Sequence, residues 1–331
     1  MDLRIKIAVT GSRGKSSVVR LLHVALNRCG LRTYTRVTGV IPRTLTPEGE
    51  KPILRFAPAS IDEMKWWLHM LPEDAQAIVM ENSAVAPELQ SFCTKCLKPE
   101  VTVLTNIRPD HEAFWGPKEN DVLLALSHAL PEGGKIILPE PLAGRPLMKI
   151  LAQHRSLELM CAHRVSGFPG HLADNIGLAL EACRAVGIDE KLCFEAMKNM
   201  PPDLADFTIL DTGNGLLAFA FSANDVVTTE ELFHSTGWKR EETGVLFNHR
   251  ADRVDRFHTF EKWMGGHLWR EIVIIGDTPP SSSLRCKYIP CQTSDELRII
   301  LNSRCWIGCG NTVYGLPLLF KLECEEMRRK I

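Results

Sequence analysis

Short apolar runs alternate along the chain with stretches whose apolar residues recur every three or four positions. Residues 4–10 (RIKIAVT) form the first run. Val18, Leu21, Leu22, Ala25 and Leu26 then repeat at helical spacing, and Gly30 is placed to end that helix. The rhythm continues with strands at 31–37, 75–82, 100–107 and 134–139 and helices at 60–71 and 120–130. Ser60 and Glu63 stand at the spacing of a capping box for the first of these helices. A longer helix over 171–187 carries Leu172, Ile176, Ala179, Leu180 and Cys183 on one face. Pro201 and Pro202 break the pattern. Strands then fall at 207–213, 216–223, 243–250, 270–277 and 304–311, and helices at 228–237, 256–266, 294–303 and the C-terminus. The fold class expected is α/β. A doubly wound, mostly parallel sheet occupies 1–204 and a smaller Rossmann-like α/β domain occupies 205–331.

At 331 residues, two domains are the natural expectation. Lys plus Arg (39) nearly equals Asp plus Glu (40), which argues against a general polyanion binder, and no nucleic-acid partner is expected. No run of eighteen apolar residues occurs, and the N-terminus lacks the long apolar core of a signal peptide. The expectation is a cytoplasmic protein, at most peripheral to a membrane through a partner. Eleven cysteines, an odd number, suit free thiols in a reducing compartment. Cys93 and Cys96 form a tempting pair, but no second pair at ligand spacing accompanies them, so they read as structural.

The chemistry begins at residues 10–17, TGSRGKSS. The usual phosphate-loop pattern requires glycine at the position of Val9, yet a strand precedes this core and a helix follows it. Gly11 and Gly14 permit close approach of backbone N–H groups to a phosphate, and the helix N-terminus adds positive potential. Gly11, Ser12, Arg13, Gly14, Lys15, Ser16 and Ser17 are therefore candidate ATP contacts. Lys15 has the reach for the β- and γ-phosphates, and Ser16 offers a hydroxyl to Mg²⁺. Glu81 ends one buried strand; Asn106, Asp110 and His111 follow another. Ligands of open α/β sheets bind at such strand ends. Carboxylate and hydroxyl donors suit Mg²⁺, and the histidine admits Mn²⁺. Taken singly, Glu81 reads equally as a structural ion pair and Asp110–His111 as a solvated turn. In the second domain, Arg250 and Arg253 follow a strand end and are candidates to grip a substrate carboxylate, with self-pairing to Asp252 and Asp255 as the alternative.

Together TGSRGKSS, ENSAV, TNIRPDHEAFWG and HLADNIGLALEA resemble the ATPase domain of the Mur ligase superfamily. That superfamily has a shorter phosphate loop, which accounts for Val9. FNHRADRVDRF (247–257) and IGCGNT (307–312) narrow the resemblance to the poly-γ-glutamate synthase ligase subunit. The resemblance covers nearly the whole chain. It implies an amide ligase that activates a carboxylate as an acyl phosphate, using ATP and Mg²⁺, and passes it to an amine, with glutamate or a similar amino acid as substrate. It further implies that Lys15 contacts the phosphates, that Ser16 binds the first Mg²⁺ and that Glu81 shares in metal binding. His111 would ligate a second, and Lys15, Glu81 and His111 would form the catalytic set. Asn175, and with less support His171, would meet the adenine, and Asp225 would bind the nucleotide.

Three departures qualify the resemblance. The Mur enzymes carry an N-terminal UDP-sugar domain, and the capsule-type ligases commonly begin with a hydrophobic segment; here the phosphate-loop strand comes first. A UDP-linked precursor is thus not expected to be held in the usual way, and no match is evident for the modified lysine of many Mur enzymes. Membrane-bound partner subunits and a homo-oligomer are compatible with the resemblance. Three alternatives stay open: a P-loop kinase or regulatory NTPase, a folylpolyglutamate-synthetase-like ligase, and a catalytically silent interaction subunit. GCGNTVYG (308–315) is a second glycine-rich turn without an assigned ligand.

Overall fold

A computed structural model describes residues 5–55, 59–168, 170–213, 215–301, 304–312 and 315–329. Arg4, Asn302, Ser303, Val313 and Tyr314, which the sequence pattern places in a strand, a helix and the second glycine-rich turn, lie outside them. The chain divides into two compact units, with the division between Met200 and Pro201.

The first unit opens with β1 (Ile5–Thr10), α1 (Lys15–Arg28), β2 (Thr33–Val37), β3 (Arg43–Thr46) and β4 (Gly49–Pro52). It continues with α2 (Glu63–His69), β5 (Ala77–Glu81), α3 (Ser91–Leu97), β6 (Val101–Leu104), α4 (Glu112–Trp115) and α5 (Glu119–Ser127). β7 (Gly134–Pro139), α6 (Glu140–Ala143), α7 (Pro146–His154), β8 (Leu157–Ala162), α8 (Gly170–Ala185) and α9 (Glu190–Lys198) complete it. The sheet order is β4-β3-β2-β5-β1-β6-β7-β8. It is parallel from β2 to β8 and antiparallel only in the β2-β3-β4 extension.

Both faces of this sheet are covered, which is why its central strands read as nearly unbroken apolar runs. Alternate residues of β1 point to opposite faces. Ile5, Ile7 and Val9 pack with Val18, Leu22 and Leu26 of α1, Ile176 and Ala179 of α8, and Met197 of α9. Ala8 packs on the other face with Met64 and Trp67 of α2 and Leu97 of α3. Each large apolar side chain so buried contributes about 1.5–3 kcal/mol against exposure. α1 ends as its glycine foretells: the Gly30 N–H donates to Asn27 O at 2.9 Å and the Leu31 N–H to Leu26 O at 3.1 Å, with Gly30 at φ 83°.

The capping box expected at Ser60 and Glu63 is absent. α2 starts at Glu63 behind Asp62, and the Glu63 carboxylate instead takes hydrogen bonds from Arg36 and Arg55. Arg36 is almost fully buried, and a buried cation demands a carboxylate more strongly than a helix end does.

The second unit contains β9 (Ile209–Asp211), β10 (Leu216–Phe219), α10 (Val226–Ser235), β11 (Thr243–His249), α11 (Val254–Gly265) and β12 (Glu271–Gly276). β13 (Lys287–Tyr288), α12 (Ser294–Ile300), β14 (Cys305–Gly310) and α13 (Leu316–Arg329) follow. Its order is β13-β12-β11-β14-β10-β9, parallel except for the β9–β10 pair. Val245, Phe247 and Ile274 pack with Phe233, Phe257 and Phe260 of α10 and α11, while Leu246, Val273 and Trp306 pack with Leu297 and Phe320 of α12 and α13. This is the α/β class in both units. Among the described residues, no helix is long and apolar enough to cross a membrane.

Candidate active site

β1 lies between β5 and β6, so its C-terminal end opens at the point where the chain winds to either side. Val9 is wholly buried and pairs in register with Glu81; it belongs to the strand, and the loop starts only at Gly11. Gly11 has φ 129°, and a Cβ there would stand 2.1 Å from Thr105 Oγ1. Gly14 has φ 78°, and its Cβ would stand 2.7 Å from Asn175 Oδ1. Both loop glycines are thus required by conformation and by a close neighbour.

The residues after β6 fasten the loop from one side. The Ser12 N–H donates to Asn106 O at 3.1 Å, and the Ser12 hydroxyl donates to Asn106 Oδ1 at 2.7 Å. Arg13 O accepts from Thr105 Oγ1 at 2.5 Å and from Asn106 Nδ2 at 3.0 Å. Lys15 Nζ folds back to donate to Gly11 O at 2.7 Å. Burial lowers the Lys15 pKa from its usual value; Glu81 and Asp110 oppose that shift, and Arg13 adds to it.

From the other side, Ser16 Oγ lies 3.1 Å from each carboxylate oxygen of Glu81. Glu81 Oε2 also accepts from the Thr38 N–H at 2.7 Å. Gly39 is pressed against this pair, since a Cβ on it would sit 2.6 Å from Ser16 Oγ. Arg36 Nη1 donates to Glu81 O at 3.3 Å and so holds the end of β5 from within the sheet. Arg13 pairs with Asp110 at 3.3 Å, and the same carboxylate oxygen is 3.6 Å from His111 Nε2. His111 itself has φ 49° at the start of α4, its ring edge-on to Trp115 at 4.9 Å between centroids.

The structure therefore joins Ser16 to Glu81 and sets Lys15, Arg13 and Asp110 around them; His111 joins through Asp110. Asn175 is buried against Gly14, and its Nδ2 has no hydrogen-bond partner among the described residues. His171 is exposed on the first turn of α8, and Ser17 is half-buried on α1. Sequence reasoning missed Arg36, Thr38, Gly39 and Thr105. Thr105 opens the TNIRPDHEAFWG string without being singled out there; the other three carry no motif, and only the buried strand around Arg36 hinted that an arginine there needed partners.

In the second unit, Asp225 caps α10: its Oδ1 accepts from the Thr228 N–H at 2.8 Å and its Oδ2 from the Thr228 hydroxyl at 2.9 Å. Arg250 grips Asp252 through two parallel bonds of 2.9 and 2.6 Å, so the self-paired arrangement is the one present. Burial raises the Asp252 pKa, but the bonds and charge of Arg250 outweigh it and the net shift is downward. Arg253 is half-buried at the N-terminus of α11. Cys93 is buried on α3 and Cys96 is partly exposed.

Two family descriptions match the chain: the Mur ligase middle domain over residues 9–137 and the poly-gamma-glutamate synthase CapB C-terminal domain over residues 207–316. The chain is 30% identical to PGA synthase CapB of Bacillus subtilis (strain 168), with 99% of this chain and 93% of that protein covered. It is 28% identical to the capsule biosynthesis protein CapB of Bacillus anthracis, covering 99% of this chain and 78% of that protein. Among solved structures, E. coli FolC in complex with ADP superposes with a TM-score of 0.66 over 100% of this chain and 91% of that one. At 15% identity, that likeness speaks for the fold alone. The chain belongs to the poly-γ-glutamate synthase CapB family, ATP-dependent ligases that form carbon–nitrogen bonds.

Proposed function

We propose that this enzyme joins glutamate, or a similar amino acid, to a carboxylate in the manner of poly-γ-glutamate synthesis. The observation that carries the site assignment is the Ser16–Glu81 pair at the mouth of a glycine loop, with a half-buried lysine one residue away. Hydroxyl and carboxylate oxygens are hard donors. Mg²⁺ needs few protein ligands because water and phosphate oxygens supply the rest. Such oxygen donors suit Mg²⁺ better than a soft-ligand metal. Ser16 and Glu81 would hold the first ion, and His111, oriented by Asp110, would face a second. Such ions neutralise charge on a transferring phosphoryl group.

The chain's own groups account for the rest of the reaction. Loop N–H groups between Gly11 and Ser17, other than that of Ser12, bind the phosphates together with the N-terminus of α1. Lys15 exchanges its bond to Gly11 O for a phosphate oxygen. The unpartnered Asn175 amide is placed to donate to the nucleotide beside Gly14. An acid attacks the γ-phosphate, giving ADP and an acyl phosphate; an amine displaces phosphate to form the amide. Arg250 and Arg253 would hold a carboxylate, with Asp252, itself exposed, yielding its place on Arg250 to the substrate. Asp225 would meet the nucleotide. Cytoplasmic placement and membrane-bound partner subunits belong to the same proposal.

Phosphate release from ATP, measured against a panel of amino acids with mass spectrometry of the products, tests it. The expected result is glutamate-dependent release and a product heavier by whole amino-acid residues. A phosphorylated product without an amide, or release indifferent to any amino acid, would defeat the reading.

A further inference from the structure

Arg256 lies on α11, in the same segment as Arg250 and Arg253 but without a role in the proposed reaction, and it ties three strand ends together. Its Nη1 donates to Asn224 Oδ1 at 2.7 Å and to Asn311 Oδ1 at 2.5 Å. Asn311 in turn exchanges two bonds with Asn248: Nδ2 to Asn248 O at 2.9 Å, and Asn248 Nδ2 to Asn311 O at 2.6 Å. Asn224 lies in the segment after β10, Asn311 directly follows β14 and Asn248 is the penultimate residue of β11, and these strands are neighbours in the order β11-β14-β10. Asn248 and Asn311 are both buried, so each bond is made where water cannot replace it. Gly310 completes the arrangement at φ 100°, since a Cβ there would stand 2.7 Å from Asn248 O.

Asn224 is the informative member. It has φ 61°, a left-handed conformation that residues with a Cβ avoid and asparagine tolerates. The next residue is Asp225, whose carboxylate caps α10 and is the proposed nucleotide ligand of this unit. The turn at Asn224 leads directly into Asp225, and a side-chain bond from Arg256 reaches that turn.

We propose that Arg256 is a positioning residue: it holds Asn224 in its left-handed turn and so aims Asp225, without itself touching substrate. This rests on the proposed role of Asp225 in binding nucleotide. The proposal separates Arg256 from Arg250 and Arg253 of the same segment, which are placed to meet a carboxylate directly.

The test uses full-length R256A, R256K, N224G and the R256A/N224G pair. Glycine adopts positive φ without help, so N224G supplies by conformation what Arg256 supplies by bonding. R256A is expected to raise the KM for ATP by about tenfold, the scale set by a misplaced positioning group, while the KM for the amino acid changes little. In the same variant, hydrogen exchange over 222–229 should quicken. R256A/N224G should match N224G alone in both readouts, and R256K, which keeps a donor, should fall between R256A and the wild type. A double variant as impaired as R256A shows that Arg256 does not act through the Asn224 turn and overturns the proposal. So does unchanged exchange in R256A. If R256A melts too low to assay, R256K carries the same comparison with N224G. A wild-type enzyme that shows no amino-acid-dependent turnover would sink the proposed reaction instead. The exchange data would still decide whether Arg256 sets the 222–229 turn.

Discussion

Gly11 leaves no room for a methyl group: Thr105 Oγ1 would be 2.1 Å from it, in a backbone conformation that L-residues rarely adopt. G11A should therefore lower the melting temperature and abolish ATP binding together, read by thermal unfolding with and without nucleotide. Lys15 behaves differently because burial already disfavours its charge. K15M should cost turnover by at least about a hundredfold, the scale of removing a charge-stabilising group, without lowering the melting temperature. Away from the site, His23 is buried on α1. Asn27 Nδ2 donates to its Nε2 at 2.9 Å, so its Nδ1–H donates to Thr35 Oγ1 at 3.0 Å and the ring is neutral. Burial pushes its pKa from 6.5 down to about 4, against a smaller upward effect of the Thr46 backbone. The unfolded ring takes up a proton near pH 6.5 and the folded ring only near pH 4. The stability that His23 contributes is thus complete above 6.5 and is lost as pH falls towards 4, by about 3 kcal/mol. Melting temperatures of wild type and H23N across pH 4–7 should converge towards the acid end; parallel curves would contradict the assignment.

At the scale of elements, the phosphate loop and α1 were legible because local rules agree there: an apolar strand, glycines at the turn, a lysine and serine opening a helix, and Gly30 closing it. The β3–β4 hairpin was not legible. Its strand β4 is exposed along its whole length and offers no apolar alternation to read. The turn that leads into it nevertheless carries Thr38 and Gly39 to Glu81 and Ser16, a contact made only in three dimensions. Arg36 was likewise read as an ordinary strand residue, since its partners Glu63 and Glu81 lie 27 and 45 residues away. Asp225 shows the limit of a motif: a helix cap and a nucleotide ligand call for the same residue type at the same place. D225A should lose about 1 kcal/mol through the missing cap. D225N keeps a capping oxygen, so its melting temperature should hold while ATP-dependent turnover falls. A fully active D225N would leave Asp225 as a cap alone.

Across the whole molecule, the proline-marked break in the sequence pattern coincides with the end of one core and the start of another. Each unit has its own sheet, covered on both faces by its own helices. Residues 1–200 and 201–331 produced separately should each unfold cooperatively in denaturant, followed by circular dichroism; a fragment without a transition would show that its core is incomplete. The larger sheet also has a consequence for how the protein behaves in concentrated solution. Its outermost strand on one side, β4, is four residues long, carries Glu50 and Lys51 and closes with Pro52, which has no N–H to offer. A strand from another chain would find there a short, charged rim with a donor missing. Fibril-like growth by edge-to-edge pairing is discouraged at that rim by three ordinary residues.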